Sequence, residues 1–165
     1  MKVINSILFV LAFSFFFISC KDDENIFEKS DRLIREYLIK NNITAIKTST
    51  GLYYAVITPG TGEKAAIGKI AYVRYEGKLL NDSVFYSNLD PAGGNARNFV
   101  IGASRKKIQS ERLADHIGMD EGVELMRVGE KAHLFVPPQL GFIGLPPGVK
   151  QNEVVHYEII LTALQ

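Results

Sequence analysis

The sequence predicts an α+β fold of antiparallel strands around one short central helix, with a further helix on the N-terminal side. Three observations predict it. The hydrophobic period is helical over residues 26–40 and changes to two after Thr48-Ser49-Thr50-Gly51. From there to the C-terminus, aromatic and β-branched segments alternate with Gly, Pro and Asn-Asp turns. Only one short amphipathic stretch, Met119 to Arg127, interrupts them. No part of the chain repeats. At 165 residues there is room for one domain and one core.

The first element is an export signal. Met1-Lys2 forms a short positive end, and Val3 to Ser19 is an almost unbroken apolar run, slightly short for a spanning helix of roughly 20 residues. The alternative is an uncleaved anchor, but the run stops at Cys20 rather than at a basic flank. Cys20 is the only cysteine, so no intramolecular disulfide can form. Phe17-Ile18-Ser19-Cys20 resembles a bacterial lipobox, which implies acylation of Cys20 and attachment to the membrane through its lipid; the other reading is a free or buried thiol. Lys21-Asp22-Asp23-Glu24-Asn25 then reads either as a solvated tether or as an acidic address. Such an address would send a lipoprotein to the outer membrane, facing the periplasm or the cell surface.

Ile26, Ser30, Leu33, Ile34, Tyr37 and Leu38 fall on one helical stripe, and Asn41-Asn42 marks its end. A lone helix of this length is marginal in water, so the stripe packs either on the domain or on a second copy, which leaves the oligomeric state open. Leu52 to Ile57 reads as a strand ending at Pro59-Gly60-Thr61-Gly62. Lys69 to Leu80 is a longer strand with Ala71, Val73, Tyr75 and Gly77 on one face, followed by short strands at Val84 to Tyr86 and Asn98 to Ile101. Asp90-Pro91-Ala92-Gly93-Gly94 lies in an irregular loop. Ala103 to Ile117 is polar with a weak helical pattern. Met119 to Arg127 is the central helix, broken by Val128-Gly129. Strands over Glu130 to Val136 and Glu153 to Leu164, with a Gly- and Pro-rich loop between them, complete the fold.

Several chemistries are excluded. Lys and Arg total 19 against 18 Asp and Glu, with no basic stripe interleaved with aromatics, so nucleic acid is not an expected partner. His116, His133 and His156 are scattered, without a carboxylate or cysteine at ligand spacing, so no metal and no Cys–His nucleophile is expected. No glycine-rich phosphate loop opens a helix, and no cofactor is expected. What the chain offers instead is a set of rings near strand ends and in loops: Tyr75, Phe85, Tyr86, Phe99, Phe142 and Tyr157. On composition alone these serve either as core or as a pocket wall.

Landmarks along residues 48–164 bear on that choice. They are Gly51-Leu52-Tyr53-Tyr54, Pro59-Gly60-Thr61-Gly62, Val73-Arg74-Tyr75-Glu76-Gly77, Val84-Phe85, Phe99-Val100-Ile101-Gly102, Glu121 to Ala132, Leu140-Gly141-Phe142 and Tyr157 to Leu161. In this order and spacing they resemble the FKBP-type peptidyl-prolyl cis-trans isomerases. Behind a lipobox, the helix and its Lys47-Thr48-Ser49-Thr50 exit are similar to the FKBP-type lipoproteins associated with gliding motility. The expected divisions are a signal peptide over 1–19, an acidic tether over 20–25, a helical segment over 26–47 and the isomerase domain over 48–165.

The resemblance implies a twisted antiparallel sheet wrapped over the central helix, with an apolar pocket between them. It also implies rotation about Xaa-Pro bonds of unfolded or exported polypeptides, against a barrier of roughly 18–20 kcal/mol. No proton moves, so the missing acid–base set fits the implied reaction. By position, Tyr75, Phe85 and Tyr157 match pocket-wall aromatics, Met119 the pocket floor and Val149 a loop aliphatic, with Phe99 nearby. The backbone N–H that holds the substrate carbonyl maps to His116 or Ile117. Three features depart from the family pattern: Tyr86 stands where a Phe-Asp pair would place a carboxylate, Phe142 replaces a substrate-binding tyrosine, and the Gly102-to-Gly118 segment is longer. The resemblance therefore also admits a weakly catalytic binding or chaperone module.

Overall fold

The computed structural model describes residues 25–90, 92, 94–106, 116–142 and 144–165. The expected signal peptide, Cys20, the tether up to Glu24 and much of the polar 103–117 segment lie outside these residues. Among the described residues no helix is long and apolar enough to cross a membrane.

Helix α1 spans Ile26–Lys40, the extent expected from its periodicity. Asn25 caps it, its side-chain oxygen accepting from the Phe27 and Glu28 amides at 2.8 and 3.3 Å. At the other end the Asn41 amide donates to the Tyr37 carbonyl at 3.0 Å, and Asn42 takes a positive φ of 54° that turns the chain away.

The sheet contains β1 (Ile46–Lys47), β2 (Tyr53–Thr58), β3 (Ile70–Leu79), β4 (Val84–Ser87), β5 (Arg97–Val100), β6 (Lys131–Val136) and β7 (Val155–Leu164). All pairings are antiparallel, in the order β1-β2-β6-β7-β3-β4, and β5 shares the outer edge of β3 with β4. The two-residue β1 is not visible in the sequence pattern, because both of its side chains are exposed and its ladder to Tyr53 and Tyr54 is made of backbone.

Strand alternation sends Ala71, Val73, Tyr75 and Gly77 of β3 to the same face as Leu134 of β6 and Tyr157 of β7. The helical turn α2 (Ala103–Lys106) and helix α3 (Ile117–Glu124) follow β5, and α3 packs against this inner face. Two glycines set how closely α3 approaches. A β-carbon at Gly118 would stand 2.4 Å from Val136, and one at Gly122 2.5 Å from Leu134. The helix begins two residues before the expected Met119, because the His116 side chain caps it through the Gly118 amide at 3.3 Å. It ends at Glu124, where the Leu125 and Met126 amides reach back only three residues to Gly122 and Val123.

Asp120 holds α2 to α3. Fully buried, its carboxylate accepts from the amides of Gly102 at 2.6 Å, Ser104 at 3.0 Å and Arg105 at 3.2 Å. Helix α1 covers the opposite face of the sheet, where Ile34 and Leu38 form a second core with Tyr53, Phe135 and Val154. Of the two partners open to the α1 stripe, the domain's own sheet is the one it meets. Tyr53 adds a hydrogen bond from its hydroxyl to Asp31 at 2.7 Å.

Candidate functional site

A cavity of about 280 Å³ opens where β3, β4 and β5 meet the loop between β6 and β7. Tyr75, Phe85, Tyr86, Phe142 and Tyr157 line it, so five of the six rings expected at the site converge. Tyr75 and Tyr157 meet edge to face, with centroids 5.4 Å apart at 89°. Tyr86 leans on Tyr75 at 4.8 Å, and Phe142 meets Phe85 edge to face at 6.0 Å. Both geometries suit the quadrupoles of the rings.

Two neighbours in sequence, Phe85 and Tyr86, reach one cavity, which an unbroken strand would forbid. A register shift resolves this. Gly77 pairs with Tyr86 and Lys78 with Val84, leaving Phe85 as the extra residue of a bulge. Gly77 provides the space beside it, since any side chain there would meet the Phe85 ring.

The remaining candidates sit elsewhere. Met119 and Phe99 are buried in the core shared with Tyr75 and Tyr157, and Val149 is buried at its edge; none of the three lines the cavity. Phe99 lies opposite Ala71, and its strand neighbour on the same face, Arg97, is the residue that reaches the wall. Alternation by two from Phe99 was the signal for Arg97, but an arginine carries no apolar mark in a sequence pattern. Pro146, Pro147 and Gly144 add to the lining from the β6–β7 loop.

The His116 ring packs on Phe142 at 4.3 Å and lies 6.0 Å from Tyr157. Burial pushes its pKa down to about 3, so the ring is neutral and its Nδ1 is free to cap α3. The Ile117 amide already donates to the Gly141 carbonyl at 3.3 Å, whereas no described residue accepts from the His116 amide. Among the described residues the site thus offers a ring-walled hollow with no acid–base pair in its lining, backed by the His116 ring behind Phe142.

Residues 61–162 match the family of FKBP-type peptidyl-prolyl cis-trans isomerases. The chain belongs to that family. The match takes in β3 to β6, most of β7, α2, α3 and the described residues lining the cavity of this FKBP domain, and it begins after β2. Relatives include the peptidyl-prolyl cis-trans isomerase Mip of Coxiella burnetii, 28% identical over 79% of this chain and 53% of that protein. A probable FKBP-type isomerase FkpA of Neisseria meningitidis is 28% identical over 70% of this chain and 37% of that protein. The chain therefore spans about half, or less, of these relatives' length. The crystal structure of FkpA from Escherichia coli shares the FKBP fold, with a TM-score of 0.62 and 24% identity over 84% of this chain and 59% of that one.

Proposed function

We propose that the protein is a peptidyl-prolyl cis-trans isomerase that assists exported polypeptides at the cell envelope, held to the outer membrane by lipid at Cys20. The observation that carries this reading is the convergence of Tyr75, Phe85 and Tyr157 on one hollow within the family-matching segment. Twisting the prolyl imide removes its conjugation, so the transition state is less polar and less planar than the ground state. A water-poor aromatic cup favours the twisted form by shape and desolvation, without a proton donor in flight.

The His116 amide is the group suited to hold the carbonyl before the proline, since the Ile117 amide is engaged. Phe142 keeps the wall apolar but supplies no hydroxyl. Met119 and Val149 support the wall from the core rather than touching substrate. The reading is tested by exchange spectroscopy on a Leu-Pro peptide with the purified full chain in mild detergent. Acceleration at micromolar protein supports it, and none at all refutes it. The anchor has its own test: Cys20 should take up labelled fatty acid in cells, and Cys20→Ala should abolish the label.

A second reading, a client-binding module of a surface or motility assembly with weak turnover, is favoured by the Tyr86 ring against Tyr75 and by the lost hydroxyl at Phe142. It expects unfolded client to bind with negligible isomerisation, and Tyr86→Asp to leave that binding unchanged.

A further inference from the structure

On the isomerase reading of the cavity, we propose that Asn88 is a positioning residue for catalysis. Its side-chain amide fixes the backbone of Tyr75 and, through it, the ring wall that meets the proline. Asn88 is buried and follows Ser87, the last residue of β4. In the β3–β4 ladder Gly77 lies opposite Tyr86 and Glu76 opposite Ser87, so Tyr75 and Asn88 come next. A hydrogen-bonded pair in a regular antiparallel ladder exchanges two backbone bonds. Here the backbone makes only one of them, the Asn88 amide donating to the Tyr75 carbonyl at 3.0 Å. For the other, the Tyr75 amide donates to Asn88 Oδ1 at 2.8 Å. Both backbone polar groups of Tyr75 thus bond to one residue, and a side chain carries half of the pairing.

This exchange lets β4 end without orphaning a polar group. The Asn88 carbonyl accepts from Arg74 Nη1 at 2.9 Å, and Asn88 Nδ2 donates to the Asn95 carbonyl at 3.0 Å. With Oδ1 on one partner and Nδ2 on the other, the amide has a single satisfied orientation. The consequence falls on the cavity because Tyr75 is where its rings meet. Tyr157 packs on it edge to face at 5.4 Å, and Tyr86 leans on it at 4.8 Å. A wall matched to the twisted imide acts through fit, so small shifts of Tyr75 lower turnover before they weaken binding.

The test uses the full chain in mild detergent and steady-state isomerisation of a Leu-Pro peptide. Asn88→Leu keeps the size of the side chain and removes both amide bonds, whereas Asn88→Asp keeps an oxygen for the Tyr75 amide. Asn88→Leu should lower kcat about tenfold or more while KM stays within about threefold. Asn88→Asp should recover kcat to within about threefold of wild type. Leu38→Ala, which opens the second core across the sheet, controls for lost stability and should leave kcat/KM within about threefold. A kcat/KM for Asn88→Leu within about threefold of wild type overturns the proposal. So does a loss confined to KM, or one equalled by Asn88→Asp or by Leu38→Ala. If Asn88→Leu does not fold, Asn88→Ala is judged by the same criteria. If wild type isomerises no peptide, the isomerase reading fails, and the variants are compared by the peptide's dissociation constant in an NMR titration. There, weakening by Asn88→Leu that Asn88→Asp reverses upholds the positioning of the wall, and any other result overturns it.

Discussion

The Phe85 ring occupies the space that a side chain on Gly77 would need: a β-carbon there would lie 2.5 Å from Phe85 Cζ and 3.0 Å from Tyr157 Cε1. One backbone position therefore sets two of the cavity walls. Gly77→Ala should push both rings aside at an overpacking cost of about 1–3 kcal/mol, read as a drop in thermal midpoint. It should also lower kcat/KM on Leu-Pro peptides more than the stability loss accounts for, because the displaced rings are the wall itself.

Phe142 tests the missing hydroxyl. The cavity already holds its ring, edge-on to Phe85 and to His116, so Phe142→Tyr adds an oxygen with little repacking. A gained hydrogen bond of about 0.5–1.5 kcal/mol to the substrate would raise kcat/KM by roughly two- to tenfold. The comparison of variant and wild type in one exchange assay measures it directly.

Asp120 joins α2 to α3 through three backbone amides, and Arg105 approaches it at 3.5 Å. Asp120→Ala strands those buried donors and should cost about 3–5 kcal/mol in a denaturant titration. Amide exchange should show the loss first at Gly102, Ser104 and Arg105, ahead of the sheet.

The two most deeply buried histidines set an acid limit. His156 stacks on Phe135 at 4.2 Å and shares a 2.9 Å hydrogen bond with His133. Burial first, then the charges of His133 and Lys78, press its pKa down to about 3; burial alone does so for His116. Each folded-state pKa lies below the unfolded value of about 6.5, so the unfolded chain binds more protons in between. The contribution is present above pH 6.5 and is lost as pH falls toward 3. Between pH 7 and 5 each ring should remove about 2 kcal/mol of stability in urea titrations. His156→Phe, which keeps the stack on Phe135, should flatten that slope by about one ring's share.

Much of this architecture was legible because its causes are local. Helix α1 carries one apolar stripe up to an Asn-Asn stop, and β3 alternates between a buried and a half-buried face. The rings of the cavity could be named from their matching positions, but their convergence required the bulge at Phe85, which leaves no periodic trace. Arg97 was hidden for a different reason. A charged residue at a strand edge reads as solvated surface, and only the pairing with Val73 turns it toward the hollow. The start of α3 was misplaced because a histidine side chain does the capping, a role that sequence patterns assign to Ser, Thr, Asp or Asn.

The most direct measurement is a set of intermolecular NOEs between a bound Leu-Pro peptide and the full chain. The account predicts contacts from the prolyl ring protons to Tyr75, Phe85 and Tyr157, with the His116 amide shifted on binding. Prolyl contacts that fall along α1, or no contact with those three rings at saturating peptide, would contradict it.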